Sequence, residues 1–425
     1  MHRPHAYSFD SWKTPRLPPQ STRLMIIIFI IIILENYKNN SHTSHLLLFI
    51  YLFIICFLGW VGLGVVCFRG TRGKRREEMG FPVRFPGVSN ELLKILDANM
   101  DEAPARRRAR EAFKDIQLGI DHILFKSPAD GMKIKESYEV NSRGLEIFTK
   151  CWLPETSSLR AVVCYCHGYG DTCTFFFEGI ARKLASSGYG VFAMDYPGFG
   201  LSEGLHCYIP SFDRLVDDVI EHYTKVKEDP AISSLPSFLF GQSMGGAVAL
   251  KVHLKQPNAW NGAILVAPMC KIADDMVPPL LVKKFLIGVA NILPTKKLVP
   301  QKDLAEAAFR DLKKRELTSY NVIAYKDKPR LKTALEMLKT TQEIEQRLEE
   351  VSVPLLILHG ESDIVTDPSV SKALYEKARS SDKKLKLYKD AFHSLLEGEP
   401  DDVIIQVFND IISWLDEHTK ETNAC

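Results

Sequence analysis

The chain has 425 residues, which is enough for one large domain or two ordinary ones with additional segments. Hydrophobic residues make up 46% of it and charged residues 25%, as in an ordinary globular protein. The formal net charge is only +2, which gives no support to a nucleic-acid partner. The nine cysteines show no zinc-type spacing and no disulfide framework, so the sequence predicts no structural metal and a reducing compartment.

The first 80 residues are predicted to be an N-terminal extension with a membrane anchor. Residues 46–68 form an uncharged apolar run, and a helix of this length, at about 1.5 Å per residue, spans a bilayer core. Basic residues follow between 69 and 76, so the positive-inside rule predicts that the rest of the chain faces the cytosol. The expected membrane is that of the endoplasmic reticulum, another intracellular membrane or a plastid. A second run, 24–34, is too short to cross alone. The alternative is an extension without a defined fold.

Residues 81–118 are predicted to be a charged helical linker. Ser89 precedes an apolar cluster and predicts the N-cap of a short helix. The basic stretch 105–110 is predicted to be helical as well. We interpret its arginines as a solvated helix face, with contact to anionic lipid near the anchor as the alternative.

From residue 119 to 425, short apolar strands alternate with amphipathic helices. The predicted strands are 134–140, 145–153, 161–166, 189–194, 237–240, 263–266, 353–358 and 385–388, and the predicted helices are 175–187, 212–227, 245–255, 368–379 and 402–417. This alternation predicts an α/β fold with a mostly parallel central sheet and helices on both faces. The alternation of strands and helices is interrupted at about 270–350. This segment is predicted to be helical and to form a cap between two strands.

Ser243 is the candidate nucleophile. The run 241–245, G-Q-S-M-G, matches the pattern G-x-S-x-G, but so does the run 200–204 around Ser202. Ser243 lies between a predicted strand and small helical residues, which is the strand–turn–helix context of a nucleophile elbow. The residues after Ser202 cannot begin a helix at once, so we interpret Ser202 as a loop residue.

A serine nucleophile needs a base and an orienting acid, and after such an elbow the acid and then the histidine follow in the chain. His393 lies between the last predicted strand and the last predicted helix and is the candidate base. Asp363, in the turn after a buried strand, is the candidate acid that accepts the imidazole N–H. Glu361 and Asp367 compete with it, although Asp367, before a proline, is typical of a helix cap. The other downstream histidines are His253, His359 and His418.

An oxyanion hole needs two backbone N–H groups aimed at the developing charge. Met244, directly after the nucleophile, is predicted to supply one of them. Tyr169, in the loop after the strand 161–166, is predicted to supply the other, and an ordinary tight turn is the alternative interpretation of this loop. The supporting residues of the elbow and the oxyanion loop are His167, Gly168, Gly170, Gly241 and Gly245. This chemistry needs no metal and no cofactor.

Five motifs in order along the chain carry a family resemblance. They are 167–170 (HGYG), 195–202 (DYPGFGLS), 241–246 (GQSMGG), 358–363 (LHGESD) and 392–393 (FH). Together they resemble the monoacylglycerol lipase group of α/β-hydrolases, and most closely its plant branch, which includes lysophospholipases and caffeoylshikimate esterases. The resemblance covers about 120–418 and implies a helical cap and a cofactor-free Ser-His-Asp mechanism. The long N-terminus departs from the family pattern, as does Tyr169, where animal relatives often have a small residue.

The sequence therefore predicts a serine hydrolase that cleaves carboxylic esters through an acyl-enzyme, with monoacylglycerol or lysophospholipid acyl esters as substrates. The alternatives are a caffeoylshikimate-type phenolic ester hydrolase, an acyltransferase or peptidase with the same residues, and a non-catalytic ligand receptor on the same fold. The expected partners are a small-molecule or lipid ester and, through the N-terminal segment, a membrane. No nucleic-acid partner is expected, and the sequence names no protein partner.

Overall fold

The computed structural model describes only part of the chain. The described residues are 88–126, 131–155, 158–270, 287–299 and 304–419, and all of them belong to one unit, Val83–Cys425. The predicted anchor 46–68 and the apolar run 24–34 lie outside these ranges. No helix within the ranges is long and apolar enough to cross a bilayer.

The described residues form a central eight-stranded sheet. Its strands are β1 (Met132–Val140), β2 (Glu146–Pro154), β3 (Ala161–Cys166), β4 (Tyr189–Met194), β5 (Ser237–Gln242), β6 (Gly262–Val266), β7 (Leu355–Gly360) and β8 (Lys383–Tyr388). They lie in the order β1-β2-β4-β3-β5-β6-β7-β8. The β1–β2 and β2–β4 pairs are antiparallel, and the five others are parallel. The predicted mostly parallel α/β sheet is therefore confirmed.

Helices connect and cover these strands. They are α1 (Asn90–Ile95), α2 (Ala103–Leu118), α3 (Phe176–Ser186), α4 (Phe212–Lys227), α5 (Met244–Lys255), α6 (Leu304–Ala308), α7 (Leu312–Leu317), α8 (Leu331–Gln346), α9 (Pro368–Lys377) and α10 (Asp401–Thr419). Short 3-10 turns occupy Ile123–Phe125, Thr318–Tyr320 and Leu348–Glu350. As predicted, the side chain of Ser89 caps α1, because it accepts the backbone N–H of Leu92.

Helices bury both faces of the sheet, as the continuous apolar strands predict. Side chains alternate along β3, so Val163 and Tyr165 pack in one core and Val162 and Cys164 pack in the other. The first core also contains residues of α10, and the second contains residues of α4 and α5. The carboxyl ends of β3, β5, β6 and β7 therefore meet at one edge, held between two packed layers.

The basic stretch 105–110 differs from its prediction. We interpreted it as a solvated face, but Arg106 is fully buried. Its guanidinium donates to the carbonyl oxygens of Gly200 at 2.5 Å and Ser202 at 2.8 Å. Neighbouring Arg107 donates to the carbonyl of Leu201 at 2.9 Å. The solvated interpretation is wrong because these arginines satisfy backbone acceptors of a loop that is distant in sequence, and helical periodicity does not reveal such partners.

The segment between β6 and β7 contains helices and turns but no strand in its described part. Its helix α8 is tied to the body through the loop before α4: Thr333 Oγ1 accepts the backbone N–H of Ile209 at 2.9 Å, and Arg330 Nε donates to the carbonyl of His206 at 3.0 Å. Arg330 also pairs with Asp101 at 2.5 Å. Residues 271–286 and 300–303 of the predicted cap lie outside the described residues. The described part of the insertion thus lies against loops at the carboxyl edge of the sheet.

Candidate active site

Ser243 occupies a strained turn between β5 and α5. Its backbone φ is 54° and its ψ is −120°, a region that a non-glycine residue adopts only when its surroundings hold it there. The N–H of Ser243 donates to the carbonyl of Val266 at 3.0 Å, and its carbonyl accepts from Gly246 and Met269, both at 2.9 Å. These bonds fix the turn against β6. The structure therefore places the partly exposed Ser243 at the carboxyl edge, as an elbow requires.

Small residues let this turn pack against the end of β3. A Cβ atom on Gly245 would lie 1.8 Å from the carbonyl oxygen of Cys166, and one on Gly241 would lie 2.4 Å from the carbonyl oxygen of Gly245. No side chain fits at either position without moving the backbone. The same close approach brings Gly168 beside the nucleophile, since its Cβ position is 3.5 Å from Ser243 Cβ.

The predicted oxyanion loop follows β3 and is held from two sides. His167 is buried, stacks on Tyr196 with ring centroids 3.9 Å apart, and accepts the backbone N–H of Tyr196 on Nε2 at 3.3 Å. On the other side, the N–H of Tyr325 donates to the carbonyl of Gly170 at 2.8 Å. Gly170 has φ of +79°, which favours glycine. Among the described residues, the backbone N–H groups of Tyr169 and Met244 have no hydrogen-bond acceptor.

Asp363 and His393 meet at the same edge. Asp363 follows β7 and His393 follows β8, and the imidazole Nδ1 lies 2.7 Å from Asp363 Oδ2. The other carboxylate oxygen accepts the backbone N–H groups of Val365 at 2.7 Å and Thr366 at 3.0 Å. Gly360 permits this approach, because a Cβ atom there would lie 2.3 Å from the carbonyls of Ala391 and Phe392.

The environment of Asp363 keeps the carboxylate charged. Burial by itself raises its pKa, but the nearby His393 and the hydrogen bonds from His359 and His393 outweigh burial and hold the pKa of Asp363 well below its usual range. A charged carboxylate accepts the Nδ1–H of an imidazole and leaves Nε2 free to take a proton.

Two partners of Asp363 were not predicted. His359 Nε2 lies 3.0 Å from Asp363 Oδ2, and its Nδ1 accepts from Ser371 Oγ at 2.6 Å. Thr366 Oγ1 lies 2.9 Å from the same carboxylate oxygen and 3.1 Å from His393 Nδ1. In the sequence, His359 directly follows the predicted strand 353–358 and has no predicted role. Its position four residues before Asp363, where a buried strand ends, is the signal that could have indicated its contact.

Thr366 also connects the acid side of the site to the serine side. Its hydroxyl lies 3.2 Å from the carbonyl oxygen of Ala267, and Ala267 directly follows the Val266 that holds the turn of Ser243. Ala267 itself has φ of 44° and donates to the carbonyl of Leu358. Loops after β5, β6, β7 and β8 therefore bring Ser243, Asp363 and His393 together at one edge.

The competing residues have other partners. Asp367 caps α9 by accepting the N–H of Ser369 at 2.7 Å, and Glu361 is exposed. Ser202 is buried, and its hydroxyl donates to the carbonyl of Asp195 at 2.6 Å. The remaining histidines lie away from Asp363: His253 accepts the N–H of Ser352, and His418 contacts Asp382. In the described ranges, no three His, Cys, Asp or Glu side chains are grouped as metal ligands.

A buried carboxyl supports the residue before the nucleophile. Gln242 Nε2 donates to Glu397 Oε1 at 2.6 Å, and Gln242 Oε1 accepts from the hydroxyl of Tyr165 at 3.0 Å. Burial, reinforced by the negative charge of Asp171, raises the pKa of Glu397 to about 7. Ionisation of Glu397 therefore opposes folding at alkaline pH.

We expect Glu397→Gln to become more stable relative to the wild type as pH rises. The folded wild type holds this proton more tightly than the unfolded chain, so its unfolding free energy falls between pH of about 4.5 and 7 and then levels off. Glutamine keeps the acceptor for Gln242 and cannot ionise, so the relative gain should reach up to about 3 kcal/mol above pH 7. Denaturant unfolding at acidic and alkaline pH measures it, with Glu361→Gln as the control for lost charge. An effect equal at both pH values would contradict the prediction.

The strand order and the serine elbow define a serine hydrolase of the α/β-hydrolase fold. A family model, Hydrolase_4, described as serine aminopeptidase S33, matches residues 157–401. The chain belongs to this Hydrolase_4 family.

Named relatives are carboxylic ester hydrolases. The chain is 35% identical to caffeoylshikimate esterase of Arabidopsis thaliana over 297 residues, which cover 69% of this chain and 88% of that protein. It is 31% identical to monoglyceride lipase of Homo sapiens over 283 residues, covering 66% and 90%. A structure of a soluble variant of the monoglyceride lipase of Saccharomyces cerevisiae, in complex with a substrate analog, has a TM-score of 0.60 at 22% identity and covers 67% of this chain and 96% of that one. The last comparison supports the fold.

Proposed function

We propose that the protein hydrolyses acyl esters of monoacylglycerol or lysophospholipid, with Ser243 as nucleophile, His393 as base and Asp363 as orienting acid. The observation that carries the proposal is a strained serine elbow at the same edge of the sheet as a buried carboxylate that contacts an imidazole at 2.7 Å. A relative of 31% identity is a monoglyceride lipase, and the predicted anchor would place the body next to lipid.

The reaction has two acyl transfers. In the first, His393 Nε2 takes the hydroxyl proton while Ser243 Oγ attacks the ester carbonyl carbon, and the resulting oxyanion accepts the N–H groups of Met244 and Tyr169. The proton then passes to the leaving alcohol as the ester C–O bond breaks and the acyl-enzyme forms. In the second, His393 removes a proton from water as the water oxygen attacks the acyl carbon, the bond from that carbon to Ser243 Oγ breaks and releases the acid, and the imidazolium returns the proton to Ser243 Oγ.

Asp363 makes this proton transfer possible by holding His393. Its carboxylate accepts the Nδ1–H, which fixes the tautomer and leaves Nε2 toward the serine side, and it stabilises the imidazolium that forms. His359 and Thr366 orient the carboxylate in turn. The proposed roles thus use each of the polar groups that the structure assembles around Asp363.

A phenolic ester of the caffeoylshikimate type is the second candidate substrate, because the relative with 35% identity is named a caffeoylshikimate esterase. Both candidate classes are esters of an alcohol that carries further hydroxyl groups. A peptide amide is a third, from the description of the family model. The same catalytic residues could serve all three, so the acyl and alcohol pockets decide among them.

We expect the full chain, purified in non-ionic detergent, to show its highest kcat/KM on monooleoylglycerol or lysophosphatidylcholine. Caffeoylshikimate and leucine 4-nitroanilide are measured beside them. A higher kcat/KM on caffeoylshikimate would assign the phenolic ester, and turnover of the anilide alone would assign a peptidase. Added glycerol tests the acyltransferase alternative, since transfer would yield new ester in place of free acid. Absence of turnover on every substrate would leave the receptor alternative.

We also propose that 46–68 anchors the protein in an intracellular membrane with the hydrolase body in the cytosol. The support is the uncharged run and the basic residues that follow it. Carbonate extraction and protease protection of sealed microsomes test this arrangement. Release by carbonate, or a body protected inside the vesicles, would contradict it.

A further inference from the structure

A charged cavity lies away from the proposed catalytic residues, between α2 and the edge of the sheet. Its volume is about 400 Å³. The helix α2 forms one wall, and β1, β2 and α3 form the others. Six of its lining residues are charged, namely Arg110, Lys114, Lys150, Arg182, Glu136 and Glu178. Four cations face two carboxylates, so the lining has an excess of two positive charges.

The carboxylates and three of the cations are paired with one another. Lys150 bridges Glu136 at 2.7 Å and Glu178 at 2.5 Å. Arg110 contacts Glu136 at 2.5 Å and, more weakly, the exposed Glu111 outside the lining at 3.7 Å, and Arg182 contacts Glu178 at 2.9 Å. These pairs hold α2 and α3 against the β1–β2 hairpin and neutralise both acids. The positive excess therefore remains on donors that the two carboxylates do not satisfy.

Two such donors lie on one face of α2. Arg110 is only 5% exposed, yet its Nε has no hydrogen-bond partner among the described residues. A buried guanidinium N–H without an acceptor is unfavourable by about 1–3 kcal/mol. Lys114, one turn further along the same face, forms no ion pair with any described residue. The cavity thus combines an unsatisfied buried donor with an unpaired ammonium group.

We propose that this cavity binds a phosphate monoester through the Arg110 guanidinium and Lys114 Nζ. A phosphate monoester carries close to two negative charges at neutral pH and matches the excess of the lining. Its three terminal oxygens can accept the donors that no acceptor in the described ranges reaches. Leu118, Phe125 and Ile134 also line the cavity, so it accommodates an apolar group next to the phosphate. The phosphate belongs either to a soluble molecule or to a lipid headgroup, and the cavity chemistry is the same for both.

Inorganic phosphate and glycerol 3-phosphate are the soluble probes, added to the full chain in non-ionic detergent. We expect each to raise the thermal midpoint above that in sodium chloride of equal ionic strength, because a ligand that binds only the folded state stabilises it. Lys114→Gln should weaken the apparent affinity about tenfold, the effect of losing one charge-assisted hydrogen bond, and Lys114→Arg should restore it. Arg108→Gln, which removes an exposed cation from the same helix, is the matched control.

Vesicles of phosphatidylcholine with and without phosphatidic acid test the lipid source. Any binding through the N-terminal segment is common to both vesicle types, so the readout is the additional flotation that phosphatidic acid causes in wild type and its loss in Lys114→Gln. A response to the soluble probes assigns a soluble ligand, and a Lys114-dependent response to phosphatidic acid alone assigns a lipid headgroup. If neither probe acts, if Lys114→Gln responds as the wild type does, or if Arg108→Gln loses the response as much as Lys114→Gln does, the proposal is overturned. Ester turnover is measured independently, since no charged lining residue is a proposed catalytic residue.

Discussion

Ser243→Ala is expected to lower kcat on the preferred ester by about 10⁶-fold and to abolish labelling by a fluorophosphonate probe. The hydroxyl oxygen is the only atom lost, and without it no acyl-enzyme forms. Ser243 Oγ has no hydrogen-bond partner among the described residues, and the hydrogen bonds that hold its strained turn come from its backbone. The folded structure should therefore survive the substitution, and the loss should lie in chemistry alone.

Ser202→Ala is the matched control, because Ser202 lies in the second G-x-S-x-G match of the chain. Its buried hydroxyl donates to the carbonyl of Asp195 and accepts the N–H of Phe148. We expect this variant to lose about 1–3 kcal/mol of stability while its folded fraction keeps the label. Labelling that persists in Ser243→Ala and disappears in folded Ser202→Ala would reverse the assignment of the nucleophile.

Asp363→Asn is expected to lower kcat by about 10⁴-fold with a smaller effect on the fold. The amide oxygen can still accept the N–H groups of Val365 and Thr366, which now bind Asp363 Oδ1. The amide NH₂ would then face His393 Nδ1 in place of Oδ2. A donor at that position favours the tautomer with the proton on Nε2, which cannot take a proton from the serine.

Asp367→Asn separates this chemical effect from a general effect of charge in the same loop. Asparagine caps helices about as well as aspartate, so α9 should keep its N-terminal hydrogen bond and kcat should stay within about twofold of the wild type. The comparison is made on matched single-turnover and steady-state rates. Full activity in Asp363→Asn, or a loss in Asp367→Asn as large as that predicted for Asp363, would move the acid role to another carboxylate.

Much of the architecture follows from local sequence signals. The helix predicted over 212–227 is Phe212–Lys227 in the structure, since its apolar spacing, its N-cap Ser211 and its basic last turn all agree. The hairpin at 141–144 is likewise found, with Asn141 Oδ1 accepting the N–H groups of Arg143 and Leu145. Interactions over a few residues determine both elements, so a pattern in the sequence is enough to predict them.

In the candidate site, too, the local feature could be predicted from the sequence and the long-range contacts could not. The elbow could be predicted at Ser243 because a strand, a turn and small helical residues are contiguous there. The contact of His359 with Asp363 could not be predicted from periodicity. Whether a histidine at the end of a strand contacts a carboxylate depends on its burial and on the position of the carboxylate in the folded chain. The contacts of Thr366 with Asp363, His393 and Ala267 could not be predicted either, because they form only where the loops after β6, β7 and β8 meet.

The sequence by itself determined the order of strands and helices, the serine elbow, and the residues able to act as base and acid. Only the tertiary structure decided that Arg106 is buried against the loop 200–204, that Asp363 accepts from two histidines, and that, among the described residues, an unpaired lysine and an unsatisfied arginine N–H lie at a cavity beside α2. The physical reason is the separation along the chain over which each kind of interaction acts. Propensity, capping and turn chemistry act within a few residues, whereas burial and charge pairing depend on groups that approach only after the chain has folded.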